Sequence, residues 1–355
     1  MKLHDKLEGP WRITFDTNPD LCNLRCIMCD THSIYNNKRE ETIGKNRIMP
    51  VQIIKRVIKS THSYVKEVIP STMGEPLLYP YFEEIVRLIK KYDIKINLTT
   101  NGTFPMGGVD KWGKLILPLS SDIKISINGA TRRVDEEIMV GISFEEQLKN
   151  IKKLIEIRDD IRKKGENHPT ITFQVTYMER NFNELPELLK LAIELGVDRF
   201  KGHHVWITWP QIEKESLRRD RESIMRWNDM VDILYEIKNQ LGSDIILDNV
   251  HKLSVSGKNT VPESWVCPFL GREAWIAWDG TFNVCCAPDE LRKSFGYFGN
   301  VNENDFMELW NSEKYNALIH RWGSNPICKK CNMRRPAEEV YGHCDSTPQN
   351  NDSIG

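Results

Sequence analysis

Apolar and polar positions along the chain alternate between a strand-like and a helix-like period. Strand-like runs fall at residues 11–17, 66–72, 95–100, 122–127, 170–177 and 199–205. Each is followed by a run with helical spacing, such as Ile53, Ile54, Val57 and Ile58 after the cysteine-bearing first loop. Repeated strand–helix units predict parallel strands with right-handed crossovers. We therefore expect an α/β fold, a partial (β/α)6 barrel that binds its ligands at the carboxyl ends of the strands.

The pattern changes past residue 215. Residues 222–241 predict one long amphipathic helix, and short segments follow, with Asp279-Gly280 as a hairpin signal. We expect a lead-in at 1–10, the barrel at 11–215, a helical connection at 216–260, a small second module at 261–340 and a polar tail at 341–355, disordered from 346. The long polar stretch 30–47 is interpreted as a cover over the active site.

Charge and composition narrow the choice of partners. The 355 residues include 49 basic and 50 acidic side chains, so no global field selects nucleic acid or an anionic membrane surface. The first residues lack the apolar core of a signal peptide, and no later run is long enough to span a bilayer. We expect a cytoplasmic protein with no membrane or nucleic-acid partner.

The nine cysteines fall in clusters with metal-ligand spacing, which in a reducing compartment favours thiolate ligands over disulfides. Cys22, Cys26 and Cys29 follow the first predicted strand as C-x3-C-x2-C. Three thiols so close cannot all pair as disulfides, whereas an iron–sulfur cluster uses all three. Zinc is the alternative, because His32 would complete a Cys3His set. Metal is also expected to hold the C-terminal module, through Cys267, Cys285, Cys286, Cys328 and Cys331.

Four strand-end motifs occur in order along the barrel. The cysteine loop follows the first strand, Gly74-Glu75-Pro76 the second, Thr99-Thr100-Asn101-Gly102 the third, and Ser126-Ile127-Asn128-Gly129-Ala130-Thr131 the fourth. The ordered set resembles the radical S-adenosylmethionine (SAM) superfamily. The resemblance implies that the first three cysteines bind three irons of a [4Fe–4S] cluster and that SAM chelates the fourth. It also implies that a 5′-deoxyadenosyl radical removes a hydrogen atom from the substrate.

The same resemblance implies where SAM binds. The turn after the second strand would receive the amino group of SAM, the end of the fourth strand would approach its ribose or carboxylate, and Gln174 is a further candidate for the ribose. Met28 stands where relatives usually have an aromatic residue, and Asn128 where they often carry Asp, which leaves the role of Asn128 open. The predicted SAM-binding residues are Gly74, Glu75, Pro76, Asn101, Ser126, Asn128 and Gln174.

The C-terminal module resembles the SPASM/twitch domain of such enzymes, through Trp278-Asp279-Gly280, Phe298-Gly299-Asn300-Val301 and the cysteines. The resemblance implies a second [4Fe–4S] cluster, with a zinc site as the alternative. Only Cys344 lies beyond Cys331, so we expect the shorter, one-cluster twitch form. The predicted ligands are Cys267, Cys285, Cys328 and Cys331, with Cys285 favoured over Cys286 by its spacing from Cys267.

Cys286 would then be a free thiol beside the second cluster. A thiol there would return a hydrogen atom to a substrate radical, as in an epimerase; the alternative is a small buried hydrophobe. If the second cluster takes an electron instead, the substrate leaves oxidised. Asp289 is a candidate base or a solvated turn residue.

We therefore predict a radical SAM oxidoreductase or epimerase, supplied with electrons by a reductant such as flavodoxin or ferredoxin. Its substrate is a polar small molecule or a peptide; no leader-binding segment is evident before Trp11, which favours a small molecule. The alternative is a non-catalytic, zinc-binding α/β scaffold or binding protein. A substrate mouth, or a set of structural side chains, is expected at His203, His204, Trp206 and Trp209. A solvated basic face is expected at Arg218, Arg219 and Arg221.

Overall fold

The computed structural model describes residues 6–37, 46–255, 261–262, 264–287, 289–329, 331 and 333–341. Residues 38–45 of the expected cover, the tail beyond residue 341 with Cys344, and the side chain of Asp289 lie outside the described residues.

A single sheet of nine strands organises the molecule. The strands are β1 (Arg12–Phe15), β2 (Glu67–Ile69), β3 (Lys95–Thr100), β4 (Ser120–Ser126), β5 (Thr170–Tyr177), β6 (Arg199–His204), β7 (Ile246–Asp248), β8 (Glu273–Ile276) and β9 (Phe282–Asn283). Their order is β7-β6-β5-β4-β3-β2-β1-β8-β9. All neighbours are parallel except β8 and β9, which form an antiparallel hairpin around Gly280.

Helices connect the strands and pack on one face of the sheet. They are α1 (Val51–Thr61), α2 (Phe82–Tyr92), α3 (Gly108–Ile116), α4 (Arg132–Ile138), α5 (Phe144–Lys163), α6 (Leu185–Leu195) and α7 (Arg221–Gln240), followed in the C-terminal module by α8 (Asp289–Ser294), α9 (Phe306–Trp310), α10 (Glu313–Arg321), α11 (Pro326–Lys329) and α12 (Ala337–Tyr341). Ser143 caps the start of α5, since its Oγ accepts a hydrogen bond from the Glu146 N–H at 3.4 Å.

The core forms where apolar strand residues meet the apolar stripes of the helices. Ile123 and Ile125 of β4 and Phe173 of β5 are fully buried against helical residues such as Leu154 and Leu188. Successive side chains of a strand point to opposite faces of the sheet. The helices cover the apolar face, so the other face carries no helices. That second face lines the inside of the partial barrel.

The six predicted barrel strands are confirmed, and β3 and β5 have the predicted bounds. The sheet also extends at both edges. β7 lies inside the stretch interpreted as a helical connection, and β8 of the C-terminal module pairs with β1. Because this pairing joins residues more than 250 positions apart, local periodicity does not reveal it. Among the described residues, no helix is both long enough and apolar enough to cross a membrane.

Candidate active site

Polar side chains occupy alternate positions along the inside of the barrel. Ser126, Gln174, Lys201 and Asp248 are register partners across β4 to β7, so they form one row across the inside of the barrel. We call the inner surface around this row the polar face. Lys201 Nζ lies 2.7 Å from Asp248 Oδ2, so this pair is neutral overall. A polar interior suits a polar ligand better than an apolar one.

Deeper in the barrel, the charges are paired. Arg12 Nη1 lies 3.0 Å from Glu67 Oε2, and its other nitrogen contacts Glu273. Lys124 Nζ lies 3.5 Å from Asp122 Oδ2, and burial lowers the pKa of Lys124 to about 8. These pairs close the amino-terminal end of the barrel, which leaves the carboxyl end as the open end of the polar face.

The cysteine loop leaves β1 at this open end. Cys22, Cys26 and Cys29 are half-buried thiols. Backbone N–H groups are directed at two of the sulfurs: Leu24 N lies 3.5 Å from Cys22 Sγ, and His32 N lies 3.2 Å from Cys29 Sγ. Burial, and then the nearby Glu75 and Cys29, raise the pKa of Cys22 to about 12. The three thiols are thus close together and held by the loop backbone.

His32 has a structural contact. It is buried, and its Nε2 lies 2.8 Å from the carbonyl oxygen of Pro19. A carbonyl only accepts, so Nε2 carries the proton and the lone pair of the neutral ring is on Nδ1. Within the described ranges, no three His, Cys, Asp or Glu side chains are arranged to hold a single metal ion.

The turn after β2 is fastened to the start of the cysteine loop. Gly74 has φ +75°, and a Cβ there would lie 2.3 Å from Asn18 O and 2.6 Å from Leu21 O. Glu75 N donates to Leu21 O at 2.8 Å, and Asn18 Nδ2 donates to Glu75 O at 2.7 Å. Only glycine permits both the left-handed conformation and this close approach.

The Glu75 carboxylate joins the ends of β2 and β3. It is buried and accepts hydrogen bonds from Asn101 N and Thr100 Oγ1, both at 2.8 Å, and from Leu77 N at 3.2 Å. Burial raises its pKa to about 7. With both oxygens already bonded, Glu75 holds the turn in place, and its predicted contact with SAM stays a prediction.

Two amide side chains connect the strand ends where SAM binding is predicted. Gln147 Nε2 donates to Asn101 O at 2.8 Å and to Ser126 O at 2.9 Å. Asn128 is buried, and its Oδ1 accepts from Thr176 N at 2.8 Å. Asn128 therefore ties β4 to β5, and its predicted role in SAM binding stays a prediction.

Asp135 of α4 supports the same strand end, although the sequence analysis did not single it out. Its Oδ1 accepts from Asn128 N at 2.7 Å and from Gly129 N at 3.1 Å, which fixes the turn after β4. Asp135 is fully buried, and burial raises its pKa to about 7. The sequence does contain a signal for this role, since Asp135 lies in the first turn of a helix, seven residues after Asn128.

The second group of cysteines repeats the N–H to sulfur pattern. Among the described residues, backbone N–H groups are directed at Cys267 Sγ, Cys285 Sγ and Cys331 Sγ at 3.4–3.5 Å. Cys328 is buried, and it interacts electrostatically with Cys285 and Cys331. Cys286 lies close to the same group, but no N–H in the described part of the chain is directed at its sulfur. Cys285 therefore shares this contact with Cys267 and Cys331, whereas no N–H of the described residues is directed at the sulfur of Cys328 or Cys286.

The four residues predicted at the substrate mouth separate. His203 lies on the polar face, where its Nδ1 is 3.1 Å from Gln174 Nε2. His204 points to the helix side and stacks edge-on against Trp227. Trp209 Nε1 donates to Cys29 O at 3.0 Å, and Trp206 is exposed. Of the four, His203 alone lies beside Gln174, one of the predicted SAM-binding residues.

The predicted basic face separates as well. Arg219 and Arg221 are exposed as expected, and Arg219 pairs with Glu179 at 2.8 Å. Arg218 differs, because it is half-buried. Sequence spacing does not distinguish it from its neighbour.

Comparisons with known proteins identify the family. The profile described as the Radical SAM superfamily matches residues 19–192, and the SPASM profile, described as an iron–sulfur cluster-binding domain, matches residues 267–332. The chain belongs to the radical SAM superfamily and has a C-terminal SPASM domain. Its cofactors are accordingly [4Fe–4S] clusters and SAM.

Three similar proteins span nearly the whole chain. The tungsten-containing aldehyde ferredoxin oxidoreductase cofactor-modifying protein of Pyrococcus furiosus is 24% identical over 345 residues, covering 90% of this chain and 86% of the relative. The AdoMet-dependent heme synthase of Methanosarcina barkeri is 26% identical over 347 residues, covering 91% and 84%. The fold is similar to that of Streptococcus suis SuiB bound to its precursor peptide SuiA, with a TM-score of 0.65, 17% identity, and 92% and 72% coverage.

Proposed function

We propose that the chain is a radical SAM oxidoreductase or epimerase that takes a hydrogen atom from a carbon of a polar small molecule or peptide. One observation carries this proposal: β1, which leads into the first cysteine loop, pairs directly with β8 of the second cysteine module, so the two groups of cysteines belong to neighbouring strands of one sheet. Two redox centres on neighbouring strands suit oxidation or hydrogen return at a bound substrate.

The donor sets fit the cofactors. Half-buried thiols with N–H groups directed at sulfur are suitable ligands for an iron–sulfur cluster, because these hydrogen bonds stabilise thiolate charge. Cys22, Cys26 and Cys29 would hold the first cluster, and Cys267, Cys285, Cys328 and Cys331 the second. SAM would bind at the open end of the polar face, beside Gly74, Glu75, Pro76, Asn101, Ser126, Asn128 and Gln174.

When bound, the clusters and SAM supply one-electron chemistry: reductive cleavage of SAM to a 5′-deoxyadenosyl radical at the first, and an electron acceptor at the second. An external reductant of the flavodoxin or ferredoxin class would provide the electron. The residues of this chain orient SAM and the substrate. If Cys286 is not a ligand, its thiol is available to donate a hydrogen atom to the substrate carbon. The N–H group directed at Cys285, and not at Cys286, supports that division of roles.

Iron content and SAM cleavage test the proposal together. Anaerobically reconstituted wild-type protein should hold about eight irons and form 5′-deoxyadenosine with dithionite. Cys285→Ala should lose iron from the second site, to about four irons per chain, whereas Cys286→Ala should keep about eight. Equal iron loss in both variants would contradict the assignment of Cys285. Colourless protein with bound zinc would contradict the enzyme and favour the scaffold.

A further inference from the structure

The side chain of Arg334 joins two segments of the SPASM domain. It is buried, with 4% of the residue exposed. Its Nε donates to Cys331 O at 3.2 Å, and its Nη2 donates to Lys329 O, at the end of α11, also at 3.2 Å. On the other side, Nη1 donates to Pro262 O at 3.0 Å and Nη2 to Val261 O at 3.4 Å. One guanidinium thus holds the turn that carries two predicted ligands against the segment that leads to a third.

That turn is itself closed by the backbone. Cys331 N donates to Cys328 O at 3.2 Å, so the two cysteines flank a single turn. The Arg334 side chain bonds to a carbonyl at the end of this turn and to one inside it. A change at Arg334 therefore acts directly on the backbone that places both sulfurs.

The residues on either side of this arginine are fixed to predicted ligands as well. Met333 N is directed at Cys331 Sγ at 3.4 Å. Arg335 exchanges two backbone hydrogen bonds with Val266, at 2.8 and 2.9 Å. Val266 directly precedes Cys267 in the chain. The backbone of residues 333–335 therefore connects Cys331 with Cys267, and the arginine lies between these two contacts.

The charge of Arg334 is placed where it would act on a cluster. Guanidinium groups stay protonated in proteins, even when they are buried. A [4Fe–4S] cluster with four thiolate ligands is anionic, and uptake of one electron makes it more so. A nearby fixed cation stabilises the reduced form more than the oxidised form, because the attraction grows with the negative charge. Net charge around a cluster is one of the factors that set its reduction potential.

We propose that Arg334 is a positioning residue for the second cluster, which holds the turn of Cys328 and Cys331 in place and raises the reduction potential of that cluster by its charge. The inference rests on the proposed function, because it takes the predicted cysteines of the SPASM domain as the ligands. A higher potential makes the second cluster a better acceptor of one electron. Arg334 would thereby favour oxidation of the substrate over hydrogen return.

Two variants separate the charge of Arg334 from its hydrogen bonds. Arg334→Gln removes the charge but keeps an amide that donates to carbonyl oxygens. Arg334→Lys keeps the charge and loses the planar arrangement of donors. The matched control is Arg321→Gln, which removes an exposed arginine from the end of α10 in the same domain. All four proteins, including the wild type, are reconstituted anaerobically and assayed for iron.

The reduction potential is the readout that a purely structural role would leave unchanged. A redox titration followed by electron paramagnetic resonance, with and without SAM, identifies the second cluster as the signal that SAM does not alter. In Arg334→Gln the equilibrium constant for its reduction should fall about tenfold, a midpoint about 59 mV more negative for one electron. Arg334→Lys and Arg321→Gln should stay close to the wild type. A wild-type midpoint in Arg334→Gln, or equal shifts in Arg334→Gln and Arg334→Lys, would overturn the proposal.

A variant that fails to bind the second cluster also gives an answer. Loss of about four irons from Arg334→Gln, with retention in Arg334→Lys, would support the proposal, because the lysine shares the charge of the native residue. Loss from both variants, with wild-type circular dichroism, would overturn the role of the charge. Failure of the proposed function has a different sign: a wild type that holds no second cluster or forms no 5′-deoxyadenosine.

Discussion

Arg292 Nη1 lies 3.0 Å from Asp16 Oδ2, and both side chains are more than nine-tenths buried. Asp16 follows β1 and precedes the first cysteine loop. Arg292 belongs to α8 and also donates from Nε to the carbonyl of Ala287, just after Cys286. This ion pair therefore links the loops that carry the two groups of cysteines.

Breaking this pair should destabilise the protein. Arg292→Met removes the cation that faces the buried Asp16 carboxylate, which typically costs about 3–5 kcal/mol of the free energy of unfolding. Urea unfolding monitored by circular dichroism measures the change. The control is Arg133→Met, because Arg133 is exposed and pairs with Glu137 at 3.6 Å on the surface. Similar losses in the two variants would show that the buried pair contributes nothing special.

The close contact at Gly74 predicts a defect in cluster assembly. In Gly74→Ala, the new Cβ would collide with the carbonyl oxygens of Asn18 and Leu21. The start of the cysteine loop must then move. We expect the reconstituted variant to hold less iron per chain than the wild type.

Gly196→Ala is the matched control for that variant. Gly196 has φ +78°, close to the φ +75° of Gly74, but a Cβ there meets nothing within 4 Å. Both variants bear the left-handed strain of about 1 kcal/mol, and Gly74→Ala alone also meets the backbone. Normal iron content in Gly74→Ala would contradict the proposed packing of the turn against the loop.

Asp135 predicts a pH dependence of stability. Burial raises its pKa from 3.8 to about 7, so the folded state binds this proton more tightly than the unfolded state. Its contribution to stability therefore falls as the pH rises from about 4 to 7 and is constant above that range. Asp135→Asn keeps an oxygen for the N–H groups of Asn128 and Gly129, and replaces Oδ2, which has no hydrogen-bond partner among the described residues.

The Asp135→Asn variant should lose this part of the pH dependence. Urea midpoints from about pH 5 to 8 should fall less steeply for the variant than for the wild type. Parallel midpoint curves for the two proteins would show that Asp135 titrates as an ordinary carboxylate.

Sequence patterns predicted the parts of the site that depend on local chain order. The cysteine loop, the Gly74 turn and the ends of β3 and β4 follow consecutive strands, and parallel strands bring their carboxyl ends together. The alternation of polar Lys124 and Ser126 with apolar residues along β4 also indicates the polar face, although the sequence analysis did not use it.

Contacts between distant parts of the chain were not predictable in this way. Asp16 and Arg292 are 276 residues apart, and nothing in the periodicity near either residue indicates the other. Arg218 and Arg219 are adjacent and chemically alike, so burial alone distinguishes them. His32 had metal-ligand spacing, yet its ring bonds to Pro19 because the loop folds back on itself.

Reductant-dependent formation of 5′-deoxyadenosine tests the central claim most directly. Anaerobically reconstituted wild-type protein, given SAM and dithionite, should produce it, and Cys26→Ala should not, because the first cluster loses one of its three protein ligands. Formation at the wild-type rate by Cys26→Ala, or none by the iron-loaded wild type, would contradict the account.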